Sequence, residues 1–172
     1  NVKAGIVDEK GTLNGKVKFP TKDLVDSGDF TASVARIIED LLQSNPGVEG
    51  IGIGVPGTLS KDRLSTIELP NIPVLNHMPI GSILDEYFKD VPLYFENDAN
   101  LAALGEYYFG GGNRSDSFIF VTLGTGVGGS AIIDGKLFTG ADGNGMELGH
   151  VLVKNGKTLE QNIGKAGIMT MT

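Results

Sequence analysis

The sequence predicts an α/β fold with mixed sheets. Short apolar strands alternate with helical segments along the 172 residues, and a hairpin pattern comes early in each part of the chain. Hydrophobic residues make up 40% of the chain and charged residues 20%, which allows a sizeable core and argues against intrinsic disorder. The 26 glycines show no collagen-like period, so we expect them at turns and at close backbone approaches.

Periodicity and turn residues define the elements of the first part. Apolar residues at helical spacing predict a helix that ends at Asn45-Pro46-Gly47. The expected strands cover 2–7, 15–19, 48–55 and 91–95, and the expected helices cover 31–42, 79–88 and 98–109. The run Gly110-Gly111-Gly112-Asn113 then breaks the chain. We predict a boundary there, with one domain at 1–112 and the beginning of a second at 113–172.

The second part begins with two predicted strands, 117–123 and 127–133, joined by a tight glycine turn. Asp134-Gly135 predicts a second hairpin turn. A helix is expected from Leu159 to Thr172. These elements are too few for a complete domain, so we expect this part to be cut short.

Charge and composition exclude several classes of function. Fourteen basic and 21 acidic residues give a net charge of −7, which argues against non-specific binding of nucleic acid or anionic membranes by this segment. The absence of cysteine excludes disulfides and thiolate zinc sites. No apolar run reaches the length of about 18 residues that a membrane helix needs. We therefore expect a soluble, cytoplasmic protein.

Four glycines lie in and just after the turn between the first two strands of the second part. Residues 124–129 have the sequence GTGVGG, so backbone N–H groups can approach an anion closely, and Thr125 adds a hydroxyl donor. The segment matches neither the P-loop, which needs Lys-Ser/Thr, nor the dinucleotide fingerprint, which needs a following helix. From the residues alone, phosphate binding and a plain glycine-rich turn both stay open.

Polar residues also follow the strand predicted at 91–95 and lead into the next helix. Glu96, Asn97, Asp98 and Asn100 lie there, and a helix N-cap accounts for only one of them. Ligands bind at the carboxyl ends of strands in open α/β sheets. Asp98 could accept a proton from a substrate hydroxyl, while helix capping stays the alternative.

The third candidate is Glu147-Leu148-Gly149-His150, followed ten residues later by Glu160. Each sugar hydroxyl needs a donor and an acceptor, so carboxylates beside an imidazole suit polyol recognition. A structural histidine and a solvated loop carboxylate are the alternatives. A metal site is the weaker interpretation, because His150 has no second histidine at ligand spacing and His77 lies in a proline-flanked loop.

Together these segments resemble the ROK family of sugar kinases and related repressors. Five motifs occur in the family's order and spacing across essentially the whole chain: GVPG at 54–57, LPNIP at 69–73, ENDAN at 96–100, LGTGVGG at 123–129 and ELGH at 147–150. The resemblance implies the actin-like ATPase (ribonuclease H-like) fold, in which two related α/β domains surround a cleft for ATP and a hexose. It implies a glucokinase-like enzyme that transfers the γ-phosphoryl group of ATP to a hexose hydroxyl, with the 6-OH as the expected acceptor.

Carried over by position, the resemblance implies that Asp98 is the general base. The residues implied to bind or line the sugar site are Gly57, Asn71, Asn97, Asp98, Glu147, His150 and Glu160. The residues implied to hold the ATP phosphates are Gly124, Thr125, Gly126, Val127, Gly128 and Gly129. Mg²⁺ is expected to bridge the β- and γ-phosphates, with no dedicated metal ligands in this segment. Family members are often dimers or tetramers, so a homo-oligomer is expected.

Two departures from the family's pattern bear on these roles. Members usually open with a phosphate-binding turn, Asp-x-Gly-Gly-Thr-Asn, of which Asn1 matches only the last residue, so we expect a missing beginning that holds either this turn or a DNA-binding domain. Many members carry a cysteine-rich zinc loop before a Leu-Glu pair. Here His150 is joined to Leu159-Glu160 without cysteine, so no zinc is expected. The chain also ends before the expected adenine pocket, and we expect the segment alone to be inactive.

Three other functions stay open. A sugar-responsive repressor of the same family would carry an N-terminal helix-turn-helix, and nothing in this sequence resembles one. A non-catalytic sugar-binding module is disfavoured by Asp98 beside Asn97. An acetate-kinase-like enzyme of the same fold is disfavoured by the pair of Glu147 and His150. Glucose, N-acetylmannosamine, fructose and allose all suit the polar residues.

Overall fold

The computed structural model describes residues 1–153 and 155–170. The chain forms two compact units, each made of two segments. The first unit comprises Asn1–Ile53 and Met78–Phe95, and the second comprises Gly54–His77 and Glu96–Thr172. The division into domains at 1–112 and 113–172 stays a prediction.

Short strands alternate with helices along the described residues. The strands are β1 (Val2–Val7), β2 (Leu13–Phe19), β3 (Ile51–Val55), β4 (Thr58–Leu59), β5 (Thr66–Glu68), β6 (Leu93–Asn97), β7 (Phe118–Leu123), β8 (Val127–Ile133) and β9 (Lys136–Leu137). The α-helices are α1 (Thr21–Asp26), α2 (Phe30–Ser44), α3 (Ile80–Tyr87), α4 (Asp98–Phe109), α5 (Leu159–Ile163) and α6 (Lys165–Met169). Short 3-10 helices cover Pro73–Leu75, Gly111–Arg114 and Leu148–His150. None of the described helices has both the length and the apolar character needed to span a bilayer.

The first unit is built from a hairpin and an amphipathic helix. The strands β1 and β2 pair antiparallel. Asp29 caps α2, because its side chain accepts a hydrogen bond from the N–H of Ala32 at 2.9 Å. Ala35 and Ile37 are buried, and α2 packs against β1 and α3. Burial of this apolar face, rather than helix propensity alone, stabilises the helix.

The strands β3 and β6 pair with one another, and the GVPG and ENDAN motifs lie at their carboxyl ends. The N–H of Ile51 donates to the carbonyl of Pro92 at 2.8 Å, and both Ile51 and Phe95 are buried. The strand β3 ends at Val55 and β6 ends at Asn97. The motifs at the ends of these strands therefore come close together in space although they are distant in sequence.

The second unit contains an antiparallel three-stranded sheet on which α4 packs. The strand β8 lies between β7 and β9, and the pairing of Leu123 with Val127 closes the glycine turn. Ile132 on β8 is fully buried, and Ala99 and Ala103 lie on the buried face of α4. Their small side chains permit the close approach of helix and strand.

The structure differs from the predicted elements in three regions. The segment between β3 and α3, expected to be a loop, contains the antiparallel hairpin β4–β5. The helix α1 follows β2 at a place where no helix is predicted. The helix expected from Leu159 to Thr172 is divided into α5 and α6. Gly164 ends α5 in an extended conformation, with a ψ of 168°. Met171 and Thr172, the last residues of that expected helix, lie outside the described residues.

Candidate active site

Asp98 stands at the start of α4, where the chain leaves β6. The residue before it, Asn97, is the N-cap, and its Oδ1 accepts hydrogen bonds from the N–H groups of Ala99 at 2.9 Å and Asn100 at 3.2 Å. Asparagine is among the preferred residues for this position. Because Asn97 caps the helix, the carboxyl group of Asp98 is available for chemistry.

The surroundings of the Asp98 carboxyl group change its acidity. Partial burial removes water from the group, which disfavours the charged form and raises the pKa of Asp98 above the usual 3.8. The backbone N–H groups of Ala99 and of Asp98 itself act in the opposite direction. The residue still keeps an exposed surface, so a substrate hydroxyl can reach the carboxyl group. A reachable carboxylate with a raised pKa is suited to accept a proton.

The side-chain amide of Asn97 ties the start of α4 to the turn after β3. Its Nδ2 donates to the carbonyl of Gly57 at 3.1 Å. Gly57 has a φ of 120°, and a Cβ there would lie 2.2 Å from the carbonyl oxygen of Glu68, so only glycine fits. A Cβ on Gly54 would lie 3.8 Å from the Cα of Asp98. Two motifs that are 40 residues apart in sequence therefore meet at the candidate base.

Glu96 forms an ion pair with Arg63, a residue that is not predicted from the sequence to be part of the site. The Nη2 of Arg63 lies 3.3 Å from the Oε2 of Glu96, and only 18% and 15% of the two side chains are exposed. The Oε1 of Glu96 accepts hydrogen bonds from the N–H of Asn97 at 2.8 Å and the Nδ2 of Asn100 at 3.0 Å. In the sequence, Arg63 lies among turn-forming residues, and no local pattern distinguishes it from an arginine exposed to solvent.

The glycine turn between β7 and β8 leaves two adjacent N–H groups unused. The N–H of Gly124 donates to the carbonyl of Gly126 at 3.0 Å. Within the described residues, the N–H groups of Thr125 and Gly126 have no hydrogen-bond acceptor. Gly124 and Thr125 are exposed. Neighbouring free N–H groups in an exposed turn can bind an anion such as a phosphate.

The N–H group of Val127, the next residue, already has a partner. It donates to the Oε2 of Glu160 at 2.9 Å. A Cβ on Gly126 would lie 2.4 Å from the same oxygen, so the close approach of this carboxylate requires glycine. Glu160 lies on α5, whose first turn is fixed by a capping box formed by Thr158 and Gln161. Glu160 and Val127 thus bind each other in this structure, and the sugar and phosphate roles expected of them stay predictions.

The ELGH motif lies against the start of β8. Its last three residues form a 3-10 helix in which Gly149 is buried. A Cβ on Gly149 would lie 2.2 Å from the carbonyl oxygen of Val127. Glu147 and His150 are exposed. Backbone packing therefore holds the motif beside the glycine turn and leaves its carboxylate and imidazole at the surface.

The start of α4 also contacts the start of β8. A Cβ on Gly128 would lie 3.3 Å from the Cβ of Ala99, the residue that follows Asp98. The candidate base and the glycine turn therefore belong to neighbouring elements of the second unit. Asn71 lies in an exposed turn, and within the described residues no hydrogen bond joins its side chain to the other predicted site residues.

The site offers little for a protein-bound metal ion. No group of three or more His, Cys, Asp or Glu residues in the described part of the chain could hold one. Mg²⁺ in phosphoryl-transfer sites is bound mainly through substrate phosphates and water, with one or two carboxylates. The described residues therefore offer no set of protein ligands for a metal ion, and a Mg²⁺ ion at this site would depend on ligands that a substrate supplies.

A sequence model for the ROK family matches residues 1–167. The chain belongs to the ROK family. It is 39% identical over 154 residues to a glucokinase from Thermotoga maritima. The aligned region covers 87% of this chain and 47% of the glucokinase. It is 35% identical over 147 residues to a xylose repressor from Caldicellulosiruptor bescii. The aligned region covers 81% of this chain and 36% of the repressor. This ROK chain therefore spans about half of the curated relatives' length, or less.

Solved structures agree with the family assignment. The ROK chain matches a protein from Cytophaga hutchinsonii with a TM-score of 0.92 and 43% identity, over 98% of this chain and 56% of that chain. It matches a ROK family glucokinase from Streptomyces griseus, solved in complex with glucose and AMPPNP, with a TM-score of 0.80 and 32% identity, over 98% of this chain and 55% of that chain. The predicted α/β class and the implied actin-like ATPase fold are confirmed.

Proposed function

We propose that the full-length protein carrying this chain is an ATP-dependent sugar kinase. It transfers the γ-phosphoryl group of ATP to a hexose hydroxyl, the 6-OH, as a glucokinase does. The contact between the start of α4 and the start of β8 carries the proposal, because it joins the element of Asp98 to the strand that follows the glycine turn. Similarity to the T. maritima glucokinase and to the S. griseus glucokinase bound to glucose and AMPPNP supports these substrates.

Asp98 acts as the general base of the transfer. Its carboxylate accepts a hydrogen bond from the hexose hydroxyl, points the oxygen at the γ-phosphorus and takes the proton while the bond to the leaving ADP breaks. The raised pKa of Asp98, caused by burial, makes the carboxylate a better proton acceptor. Asn97, held by its bond to Gly57, binds a neighbouring hydroxyl.

The glycine turn binds the phosphates of ATP. The N–H groups of Thr125 and Gly126 donate to phosphoryl oxygens, on which negative charge is concentrated during transfer. Gly124 in the turn, and Val127, Gly128 and Gly129 at the start of β8, complete the phosphate-binding segment. Mg²⁺ bound to the β- and γ-phosphates would neutralise part of their charge.

The ELGH motif and α5 supply the remaining contacts to the hexose. Carboxylates accept hydrogen bonds from sugar hydroxyls, and a neutral imidazole both donates and accepts. Glu147 and His150 have these groups exposed beside β8, and Glu160 brings a second carboxylate to the same strand. Gly57 and Asn71 line the same pocket. No zinc takes part, because the segment before Glu160 contains no cysteine.

A panel of hexoses tests the proposed function. The full-length protein is incubated with ATP, Mg²⁺ and glucose, N-acetylmannosamine, fructose or allose in turn, and ADP release is followed with a coupled assay. NMR of the product locates the phosphoryl group. Sugar-dependent ADP release with a 6-phosphate product is the expected result. Absence of turnover with all four sugars would contradict the proposal.

A sugar-responsive repressor is the second candidate, because the chain is 35% identical to a xylose repressor over 81% of its length. The same panel separates the two functions, since a repressor binds sugar and operator DNA without releasing ADP. The net charge of −7 disfavours DNA binding by this segment. We also propose that the full-length protein is cytoplasmic and forms a homodimer or a larger homo-oligomer.

A further inference from the structure

We propose that Arg63 is a positioning residue for the candidate base. Its guanidinium acts through Glu96 on the segment that carries Asp98, and the inference rests on the proposed kinase function. Arg63 belongs to none of the five motifs, and its role is to hold other residues rather than to bind substrate. Three features of the structure support this role: the backbone of Arg63, its side-chain partners, and the partners of Glu96.

The loop between β4 and β5 holds Arg63 in a backbone conformation that suits glycine better. Its φ is 63°, in the left-handed region that other L-residues rarely adopt. Hydrogen bonds fix the loop: the N–H of Arg63 donates to the Ser60 carbonyl at 2.9 Å, and the N–H of Leu64 donates to the Asp62 Oδ1 at 3.0 Å. Glycine would adopt this conformation with less strain. We therefore infer that the contacts of the arginine side chain are the reason that arginine occupies this position.

The side chain of Arg63 joins two other segments of the second unit. Its Nη2 donates to the carbonyl oxygen of Gly143 and lies 3.3 Å from the Oε2 of Glu96. Only 18% of the Arg63 side chain and 15% of the Glu96 side chain are exposed. Water and salt screen such a pair less than a surface ion pair, so the geometry is held more firmly.

Glu96 transmits this constraint to the base. Its Oε1 accepts hydrogen bonds from the N–H of Asn97 and the Nδ2 of Asn100, which lie on either side of Asp98 in the sequence. The carboxylate therefore fixes the backbone at the point where β6 becomes α4. Without Arg63, Glu96 would be a mostly buried carboxylate without a counter-charge, and its hold on this junction would loosen.

The same guanidinium holds the loop that precedes Glu147. A Cβ on Gly143 would lie 3.2 Å from the Nη1 of Arg63, so the loop backbone packs directly on the guanidinium. The next residue, Asn144, exchanges two hydrogen bonds with Leu59, at 3.3 and 3.0 Å. One largely buried side chain thus ties the base segment to the loop before the ELGH motif.

The test replaces Arg63 with glycine in the full-length protein and adds guanidinium back. Glycine adopts a φ of 63° without strain, so Arg63→Gly is expected to fold and to leave space for a free guanidinium ion. We expect kcat to fall about 10- to 100-fold, because small displacements of a reacting group have effects of this size. The KM for ATP should stay within about threefold of the wild-type value, and millimolar guanidinium chloride should restore part of kcat.

The controls separate positioning from general destabilisation. Arg36→Met removes an exposed arginine of α2, and its kcat should equal the wild-type value with or without guanidinium. Sodium chloride at the same concentration controls for ionic strength. A wild-type kcat in Arg63→Gly, or a loss that guanidinium does not restore and that parallels a loss of thermal stability, would overturn the inference.

A second variant covers the case in which Arg63→Gly fails to fold. Glu96→Gln keeps an oxygen for Asn97 and Asn100 but removes the charge that pairs with Arg63. Its kcat should fall and should not respond to guanidinium, and a wild-type kcat would overturn the inference. A wild-type protein that is inactive on the whole hexose panel would overturn the kinase proposal together with this inference. An active wild type beside an equally active variant would overturn the inference alone.

Discussion

At the start of α4, Asn97 caps the helix, and the adjacent Asp98 is the candidate base. Asn97 satisfies the free N–H groups of the first helical turn, and its amide nitrogen reaches the Gly57 carbonyl. Asp98 is therefore not needed as the cap, and its carboxyl group is partly dehydrated but reachable. This division explains why several polar side chains follow an apolar strand at this point.

The raised pKa of Asp98 predicts the pH dependence of catalysis in the full-length protein. The carboxylate accepts a proton only when it is ionised, so kcat/KM falls as the pH drops through this pKa. Because burial holds the pKa above 3.8, the fall begins at a higher pH than an ordinary aspartate would give. Initial rates at low hexose concentration, with enzyme stability checked at each pH, measure the effect. An acidic limb centred at or below pH 3.8 would contradict it.

Gly126 tests the phosphate assignment directly, because its own N–H is one of the two in the turn that have no acceptor among the described residues. A Cβ there would lie 2.4 Å from the Oε2 of Glu160, so Gly126→Val must displace this carboxylate, and it places a branched side chain on a residue whose N–H is proposed to bind phosphate. We expect the affinity for a non-hydrolysable ATP analogue to fall about 10- to 100-fold, since one hydrogen bond to a charged group contributes about 1.5–3 kcal/mol. Calorimetry on the full-length protein measures this affinity.

The matched control for this substitution is Gly52→Val on β3. No heavy atom lies within 4 Å of the Cβ position of Gly52, and valine is favoured in strands. This variant should bind the analogue as the wild type does. If Gly126→Val also keeps the wild-type affinity, the turn is only a hairpin and the phosphate assignment is wrong.

Among the elements, α5 is short and depends on its cap. The Thr158 Oγ1 accepts a hydrogen bond from the N–H of Gln161 at 3.2 Å, and the Gln161 Oε1 accepts one from the N–H of Thr158 at 2.9 Å. Removal of such a cap costs about 0.5–2 kcal/mol. Thr158→Ala should therefore lower the free energy of unfolding by this amount and raise the KM for hexose, because Glu160 lies in the first turn of α5.

Thr158→Ser is the matched comparison, since serine keeps the capping hydroxyl. Urea unfolding and hexose kinetics of the two variants measure the effect. Equal stability and equal KM in the alanine and serine variants would show that the cap does not hold α5 in place.

Elements with strong boundary signals could be predicted from the sequence, and elements without them could not. The helix α4 covers the predicted residues 98–109, because polar caps precede it and a glycine run follows it. The strands β4 and β5 are two and three residues long, too short for an alternating pattern to be recognised. The predicted C-terminal helix was wrong at Gly164, where a Cβ would lie 2.7 Å from the Glu160 carbonyl oxygen.

The candidate site shows the same limit. The motifs around Asp98 and the glycine turn stand out because each combines glycine or polar residues with the end of an apolar strand. Glu147 and His150 stand out as a carboxylate and an imidazole three residues apart. The hydrogen bond from the N–H of Val127 to the carboxylate of Glu160 joins residues 33 apart in sequence, and no local sequence pattern predicts such a partner. Long-range pairing of this kind follows from tertiary packing, as does the ion pair of Arg63.

At the scale of the molecule, every predicted site residue belongs to the second unit. That unit combines Gly54–His77 with Glu96–Thr172, so two separate segments supply the site. The hydrogen bond from Asn97 to Gly57 joins these two segments directly. The chain spans 47% of the length of the T. maritima glucokinase, so kinetic tests belong to the full-length protein.

The segment before Glu160 is closed by hydrogen bonds between residues of this chain. The N–H of Leu159 donates to the Val151 carbonyl at 2.9 Å, and the Nδ2 of Asn155 donates to the Oδ1 of Asn162 at 2.7 Å. Because the segment contains no cysteine, a strong zinc chelator should leave the Tm of the full-length protein unchanged. Differential scanning calorimetry with and without chelator measures this, and a large drop in Tm would show that another metal site stabilises the protein.

The most direct test of the account is the turnover of Asp98→Asn in the full-length protein. Asparagine keeps the size of the side chain but cannot take the proton, so kcat should fall about 10²- to 10⁴-fold. The hexose Kd from calorimetry should stay close to the wild-type value. Asp134→Asn, in the exposed turn between β8 and β9, is the matched control and should keep full activity. Wild-type turnover in Asp98→Asn would contradict the assignment of Asp98 as the base.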